Sequence, residues 1–203
     1  MLTREQLLEP LGRRRRDEVV VTTMGVVRPW ARYSDNDLDF ASADSAMGHA
    51  ADLALGIAMA QPRRKVICLN GDGSMLMSLG TLVTIVESGA TNLVLFVVVN
   101  DVYEITGGQP VPGAGRVDFA ALARAAGFAR VFHFEEAVAY EAALDEILAG
   151  PGPTFVSVHV EAGSEGVISR TPGEPARYLQ TSLADWSARM RRALLDAETA
   201  EDR

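Results

Sequence analysis

The sequence predicts an α/β fold, with one domain over residues 1–203 built on a single doubly wound parallel sheet. Three observations predict it. Strand-like and helix-like segments alternate along the chain, which is the order that builds parallel sheets through right-handed crossovers. Two of the strand-like segments, 66–69 and 93–99, are apolar throughout, as in strands covered on both faces. The length of 203 residues supports one sizeable core but is short for two full domains.

The first elements are short. Residues 3–11 predict a helix, and the β-branched run EVVVTT at 18–23 predicts a strand. A glycine, a proline and a polar turn predict a loop over 24–39. Apolar residues at helical spacing then predict a helix over 44–60, with Asp44 or Ser45 as its cap.

The middle of the chain contains the two most apolar strands. KVICLN at 65–70 and NLVLFVVV at 92–99 are predicted strands, and a helix over 74–88 connects them. The segment 101–115 is rich in glycine and proline and predicts a long loop.

The last elements continue the alternation. Two helix–strand pairs are expected, followed by an irregular segment and a closing amphipathic helix. Their predicted bounds are 118–126 (helix), 129–133 (strand), 135–148 (helix), 154–160 (strand), 161–178 (irregular) and 183–197 (helix).

Composition excludes several classes of protein. The net charge of −8 argues against a nucleic-acid binder. No apolar run approaches the roughly 18 to 20 residues of a membrane helix, and the N-terminus lacks a signal-peptide core. We therefore expect a cytoplasmic protein with no nucleic-acid or membrane partner. A single cysteine excludes a disulfide framework, and the three histidines are far apart and lack the spacing of a zinc site.

The chemistry is expected where strands end, because ligands bind at the carboxyl ends of parallel strands. Gly71-Asp72-Gly73-Ser74 leads from a strand into a helix N-terminus, where backbone N–H groups favour a phosphate. Asp72 would repel a phosphate unless a divalent cation lay between them, and magnesium prefers such oxygen ligands. Asn100 ends the next strand and would lie beside Asp72. The alternative is a connecting turn, with Asn100 as an ordinary cap.

These motifs resemble a known family. Gly71-Asp72-Gly73, followed after 26 residues by Asn100, resembles the signature of thiamine-diphosphate enzymes. The segments SAMGH (45–49), GDGSMLMSL (71–79) and YEITGGQ (103–109) resemble the diphosphate-binding domain of phosphonopyruvate and sulfopyruvate decarboxylases. The resemblance covers about residues 18–160 and implies the thiamine-diphosphate-binding type of α/β fold, with thiamine diphosphate and Mg²⁺ as cofactors.

The resemblance also implies roles for individual residues. Magnesium would be held by the side chains of Asp72 and Asn100 and by the carbonyl of Val102. Met47 would be an apolar wedge that keeps the cofactor bent, or else a plain core residue; His49 would be a substrate-side catalytic group, or else a surface histidine. The full set of implied cofactor contacts is Thr23, Met24, Ser45, Met47, Gly71, Asp72, Gly73, Ser74, Asn100, Val102, Tyr103 and Glu104.

Two features depart from the pattern or are missing. Asp101 stands where a glycine is common, and it would contact magnesium-bound water or face solvent. The glutamate that activates the pyrimidine ring comes, in this superfamily, from a separate pyrimidine-binding domain, for which 203 residues leave no room. The resemblance therefore implies a beta-like subunit of a split enzyme, a hetero-oligomer whose partner supplies that glutamate.

The resemblance implies a small 2-oxo acid substrate, and the polar loop over 103–109 predicts that it has a second anionic group. The alternative is that this loop only orders magnesium and subunit contacts and that the partner sets the specificity. The function that the resemblance implies is thus a cofactor-binding subunit of a 2-oxo acid decarboxylase. Alternatives are the beta subunit of another thiamine-diphosphate carboligase or of a 2-oxoacid oxidoreductase. A non-catalytic module for a phosphate ligand is a further alternative, although neither GxGxxG nor GxxxxGK[ST] occurs.

Overall fold

The computed structural model describes residues 1–42 and 47–201. Six strands form one sheet, and two short ones form an antiparallel hairpin. The strands are β1 (Val19–Thr23), β2 (Asp39–Ser42), β3 (Val66–Gly71), β4 (Leu93–Val99), β5 (Val102–Tyr103), β6 (Gln109–Pro110), β7 (Arg130–Phe134) and β8 (Thr154–His159).

The sheet has the order β2-β1-β3-β4-β8-β7, and every pairing in it is parallel. All seven residues of β4 are buried, as are all five of β1. Since successive side chains of a strand point to opposite faces, this burial means that both faces of the sheet are covered. The predicted α/β class with a parallel sheet is confirmed.

The covering helices form two groups, and the helices of each group pack against one another. One contains α1, α2 and α7, and the other contains α3, α5 and α6. The helices are α1 (Arg4–Arg14), α2 (Met24–Ala31), α3 (Ala50–Ala60), α4 (Asp72–Met77), α5 (Thr81–Ser88), α6 (Phe119–Ala126), α7 (Ala137–Ala149) and α8 (Leu183–Glu201). Among the described residues, none of the helices is long and apolar enough to cross a membrane.

The predicted loop over 24–39 is wrong. Its first half forms α2, and its last residue is the first residue of β2, an edge strand paired with β1. Tertiary burial outweighs the local signals: Trp30 is fully buried on α2, although Pro29 precedes it, and its indole Nε1 donates to Asp39 Oδ1 at 3.0 Å. β2 begins with Asp39, and because aspartate is rare in strands, the sequence does not indicate a strand there.

Two helix predictions also need correction. The helix predicted from residue 44 begins at Ala50, because Gly48 has φ +86°, a left-handed conformation outside a helix. The proposed caps Asp44 and Ser45 lie outside the described residues. The helix predicted over 74–88 is two helices, α4 and α5, and between them Ser78 Oγ donates to the carbonyl of Gly48 at 2.6 Å. The loop over 101–115 contains the hairpin of β5 and β6.

Candidate functional site

A cavity of about 500 Å³ opens at the carboxyl ends of β1, β3 and β4. These strands are neighbours in the sheet, so the residues that follow them meet at one edge. Every implied cofactor contact in the described part of the chain lines this cavity: Thr23, Met24, Met47, Gly71, Asp72, Gly73, Ser74, Asn100, Val102, Tyr103 and Glu104. Ser45 lies outside the described residues.

Asp72 is buried at the start of α4. Its Oδ1 accepts from the N–H of Gly73 at 2.7 Å, and its Oδ2 accepts from the N–H groups of Asn100 at 3.1 Å and Asp101 at 2.7 Å. Burial raises the pKa of Asp72 above its ordinary value, and the three N–H groups oppose the rise. The carboxylate thereby connects the end of β3 to the end of β4.

Asn100 is oriented by its own neighbours. Its Nδ2 donates to Glu104 Oε2 at 3.1 Å, and its Oδ1 accepts from the N–H of Val102 at 3.3 Å. The amide oxygen keeps a second lone pair for a further partner. Asn100 and Asp72 therefore present oxygen atoms at one edge of the cavity, as the sequence predicts.

Glu104 lines the cavity, but its carboxylate is bound by the N-terminal helix. Arg4 of α1 pairs with both of its carboxylate oxygens, and the N–H groups of Gly163 and Glu165 donate at 3.2 and 2.8 Å. Burial tends to raise the pKa of Glu104, but Arg4 and these N–H groups outweigh it, so that the pKa is below its ordinary value. Arg4 also lines the cavity. Sequence reasoning missed it because 100 residues separate it from its partner.

The glycine after Asp72 permits a close approach. A Cβ on Gly73 would lie 2.3 Å from Tyr103 Cε1 and 3.0 Å from Val111 Cγ1. The absence of a side chain at Gly73 thus lets the Tyr103 ring pack directly against the first turn of α4, and a larger residue would displace the ring.

The side chain of Asp101 has a partner within the protein. It has φ +62°, the left-handed conformation in which glycine is common, and its Oδ1 accepts from the N–H of Gly115 at 2.9 Å. Its side chain thus anchors the far end of the loop that follows β4.

The two residues predicted to act in catalysis lie differently. Met47 lines the cavity and is 59% exposed, so its side chain is available to a ligand there. His49 is not among the lining residues. Its Nδ1 lies 2.5 Å from Asp52 Oδ2, and Thr81 Oγ1 donates to the other oxygen of Asp52 at 2.5 Å. The catalytic role of His49 stays a prediction.

The donor set fits a divalent cation beside a phosphate group. Within the described part of the chain, no cationic side chain is among the groups that shift the pKa of Asp72. A buried carboxylate with only backbone N–H partners lacks the counter-charge that burial normally requires. A magnesium ion held by Asp72, Asn100 and a carbonyl would supply it.

Comparisons with known proteins agree with this geometry. Residues 19–158 match the sequence model of a family described as "Thiamine pyrophosphate enzyme, C-terminal TPP binding domain". The chain belongs to this family, whose cofactor is thiamine diphosphate.

The relatives specify the branch of the family. The chain is 38% identical to phosphonopyruvate decarboxylase of Streptomyces viridochromogenes over 85% of its length and 43% of that protein. It is 36% identical to the beta subunit of sulfopyruvate decarboxylase of Methanothermobacter thermautotrophicus, over 82% of its length and 86% of that subunit. The chain thus spans less than half of the first relative and most of the second.

Solved structures show the same fold. Benzoylformate decarboxylase from Polynucleobacter necessarius superposes with a TM-score of 0.62 at 24% identity, covering 79% of this chain and 33% of that one. The 2-oxoglutarate:ferredoxin oxidoreductase from Magnetococcus marinus gives 0.65 at 14% identity, covering 79% and 62%. At these identities the likeness concerns the fold alone.

Proposed function

We propose that this chain is the cofactor-binding subunit of a split thiamine-diphosphate-dependent 2-oxo acid decarboxylase. The observation that carries the proposal is that Asp72 and Asn100, at the carboxyl ends of adjacent strands, line the same cavity. The likeness to a sulfopyruvate decarboxylase beta subunit over 86% of that subunit supports the subunit organisation. The single sheet supports treating residues 1–203 as one domain.

The residues that follow β3 and β4 would bind the metal ion and the diphosphate. Asp72, Asn100 and the carbonyl of Val102 would hold magnesium, and the N–H groups of Gly73 and Ser74 would bind the diphosphate. When bound, thiamine diphosphate supplies an electron sink for cleavage of the bond between a carbonyl and a carboxylate.

The remaining contacts would orient the organic part of the cofactor. Thr23 and Met24 follow β1, and the Thr23 hydroxyl donates to the carbonyl of Leu69 at 3.3 Å, which fixes this strand end against β3. Met47 would be the wedge, since its exposed side chain lines the cavity. The carbonyl of Ser45 would contact the aminopyrimidine, as the family resemblance implies.

The partner would supply the activating glutamate. Among the described residues, Glu104 is the only glutamate that lines the cavity. Its carboxylate already accepts hydrogen bonds from Arg4, Asn100 and two backbone N–H groups. We propose that Glu104 orients Asn100 rather than activating the cofactor. A pyrimidine-domain subunit would then complete the site in a hetero-oligomer.

The loop after β4 supports a small 2-oxo acid with a second anionic group. Thr106 and Gln109 line the cavity beside Ile105. The N–H of Gly108 in this loop is not available to a substrate, because it donates to the carbonyl of Tyr103 at 2.9 Å. The Thr106 hydroxyl also donates to the carbonyl of Tyr103, at 3.4 Å, so the amide of Gln109 is the main donor in the proposed recognition of the anion.

Reconstitution tests the function. The full chain alone and the chain co-expressed with a pyrimidine-domain subunit are assayed for decarboxylation of sulfopyruvate, phosphonopyruvate, pyruvate and benzoylformate. We expect activity only in the complex and a higher kcat/KM for the first two substrates. Activity of the chain alone would contradict the split organisation, whereas equal kcat/KM for pyruvate would contradict only the anionic group. The cytoplasmic location and the lack of nucleic-acid and membrane partners remain predictions.

A further inference from the structure

A second cluster of ligand-type side chains lies outside the cofactor cavity. His133, Glu135 and His159 each bring one nitrogen or oxygen atom within 4.8 Å of the others. None of the three lines the cavity at the ends of β1, β3 and β4. No local motif indicates this group, because its two histidines lie 26 positions apart in the chain.

The sheet itself brings these residues together. His133 on β7 is opposite Ser157 on β8, and His159 follows two residues later on β8. Because side chains alternate between the faces of a strand, His133, Ser157 and His159 share one face. Glu135 follows directly after the end of β7. Two hydrogen-bonded strands therefore fix the separation of the histidines.

The side-chain geometry is close to that of a metal site. His133 Nε2 lies 3.5 Å from Glu135 Oε1. The two imidazole rings meet edge to face with their centroids 5.1 Å apart. Ligands bonded to one tetrahedral zinc at about 2.0–2.1 Å are separated by roughly 3.3 Å. The histidine–glutamate pair already has nearly this spacing, and side-chain rotation of His159 would close the rest.

The cluster is open to solvent and contains one carboxylate, that of Glu135. His133 and Glu135 are 40% and 61% exposed, so an ion reaches the cluster from solvent without any rearrangement of the core.

We propose that His133, Glu135 and His159 form a binding site for a divalent transition metal, with Zn²⁺ as the ion of choice. Two imidazoles and one carboxylate are a ligand set that zinc takes with a fourth position left to water. The ion would tie the edge strand β7 to β8 at the same end of the sheet as the cofactor cavity. The proposal is independent of the decarboxylase function, because it uses none of the cofactor contacts.

Metal binding by the full chain tests the site. The chain is treated with EDTA, transferred into excess Mg²⁺ to occupy oxygen-rich sites, and titrated with Zn²⁺ by calorimetry and with Co²⁺ by visible absorption. We expect one Zn²⁺ per chain and a Co²⁺ spectrum of tetrahedral intensity. Zinc at 100 times its Kd is expected to raise the Tm by about 5–10 °C.

Matched variants separate the cluster from incidental binding. His133→Gln, His159→Gln and Glu135→Gln are each expected to weaken Zn²⁺ binding at least tenfold and to remove the Tm shift. His49→Gln is the control, since His49 also lies beside a carboxylate but far from the cluster in the chain. If His159→Gln fails to fold, the variants at the two exposed positions, His133→Gln and Glu135→Gln, still test the site. Absence of stoichiometric Zn²⁺ binding, or binding unchanged in His133→Gln and Glu135→Gln, would overturn the proposal.

Discussion

Replacing Arg4 by methionine tests how the N-terminal helix supports the candidate site. Arg4 pairs with both oxygens of Glu104, and the two side chains are only 13% and 5% exposed. Methionine keeps an unbranched apolar side chain of similar length but removes the charge. The carboxylate of Glu104 then stays nearly buried without its counter-charge.

The size of the effect follows from what remains around Glu104. Breaking a buried ion pair by removing one partner typically costs 3–5 kcal/mol. Three donors stay in place, namely Asn100 Nδ2 and the N–H groups of Gly163 and Glu165. We therefore expect the lower end, a loss of about 3 kcal/mol in the free energy of unfolding. Because Glu104 orients Asn100, affinity for thiamine diphosphate with magnesium is expected to fall about 10- to 100-fold, as for other supports of metal ligands.

A double-mutant cycle measures this contribution. Urea unfolding at pH 7 is compared for the wild type, Arg4→Met, Glu104→Gln and the double variant. Since the double variant leaves no uncompensated charge, we expect a coupling energy of about 2 kcal/mol. A coupling energy below about 0.5 kcal/mol, within the usual additivity error, would show that Arg4 does not compensate the charge of Glu104. Unchanged cofactor affinity in Arg4→Met would show that the pair does not support Asn100.

Three further predictions concern single positions. Gly73→Ala places a Cβ 2.3 Å from Tyr103 Cε1, so we expect a loss of about 1–3 kcal/mol in urea unfolding and, by calorimetry, cofactor affinity more than tenfold weaker; unchanged values would contradict this. Asp101 has φ +62°, so Asp101→Ala should cost about 1–2 kcal/mol and Asp101→Gly less, and equal costs would argue against backbone strain. The hydrogen bond from Arg28 lowers the pKa of Glu174, so this pair stabilises the fold above the unfolded pKa of about 4.3 and the stabilisation is lost as pH falls through the lower folded pKa. Unfolding free energy should therefore fall less steeply below pH 5 in Arg28→Gln than in the wild type, and parallel curves would contradict the assignment.

The sequence predicts the main strands well because their signals are local. β3 and β4 are continuous apolar runs that end at glycine and asparagine, and both lie within a residue or two of the expected bounds. β2 could not be predicted, because it is held by contacts with distant residues. Its first residue, Asp39, is buried and accepts from Trp30 while Arg15 lies 3.3 Å away.

The candidate site, too, could be predicted from the sequence only in part. Asp72 and Asn100 could be placed together from sequence, since each ends an apolar strand and the strands are neighbours. The side chains that orient Asn100 could not, because Arg4 and the segment around Gly163 reach Glu104 from distant parts of the chain. The meeting of His133 and His159 likewise depends on the pairing of β7 with β8, which no local pattern specifies.

Calorimetric titration of thiamine diphosphate into the reconstituted complex tests whether Asp72 holds the magnesium on which cofactor binding depends. Asp72→Asn removes the carboxylate charge assigned to magnesium, and Asp101→Asn is the matched control, because asparagine tolerates φ +62° and can still accept from Gly115. Circular dichroism establishes that each variant is folded. We expect magnesium-dependent binding in the wild type and Asp101→Asn, and affinity at least 100-fold weaker in Asp72→Asn. Magnesium-dependent binding of unchanged affinity in a folded Asp72→Asn complex would contradict this expectation.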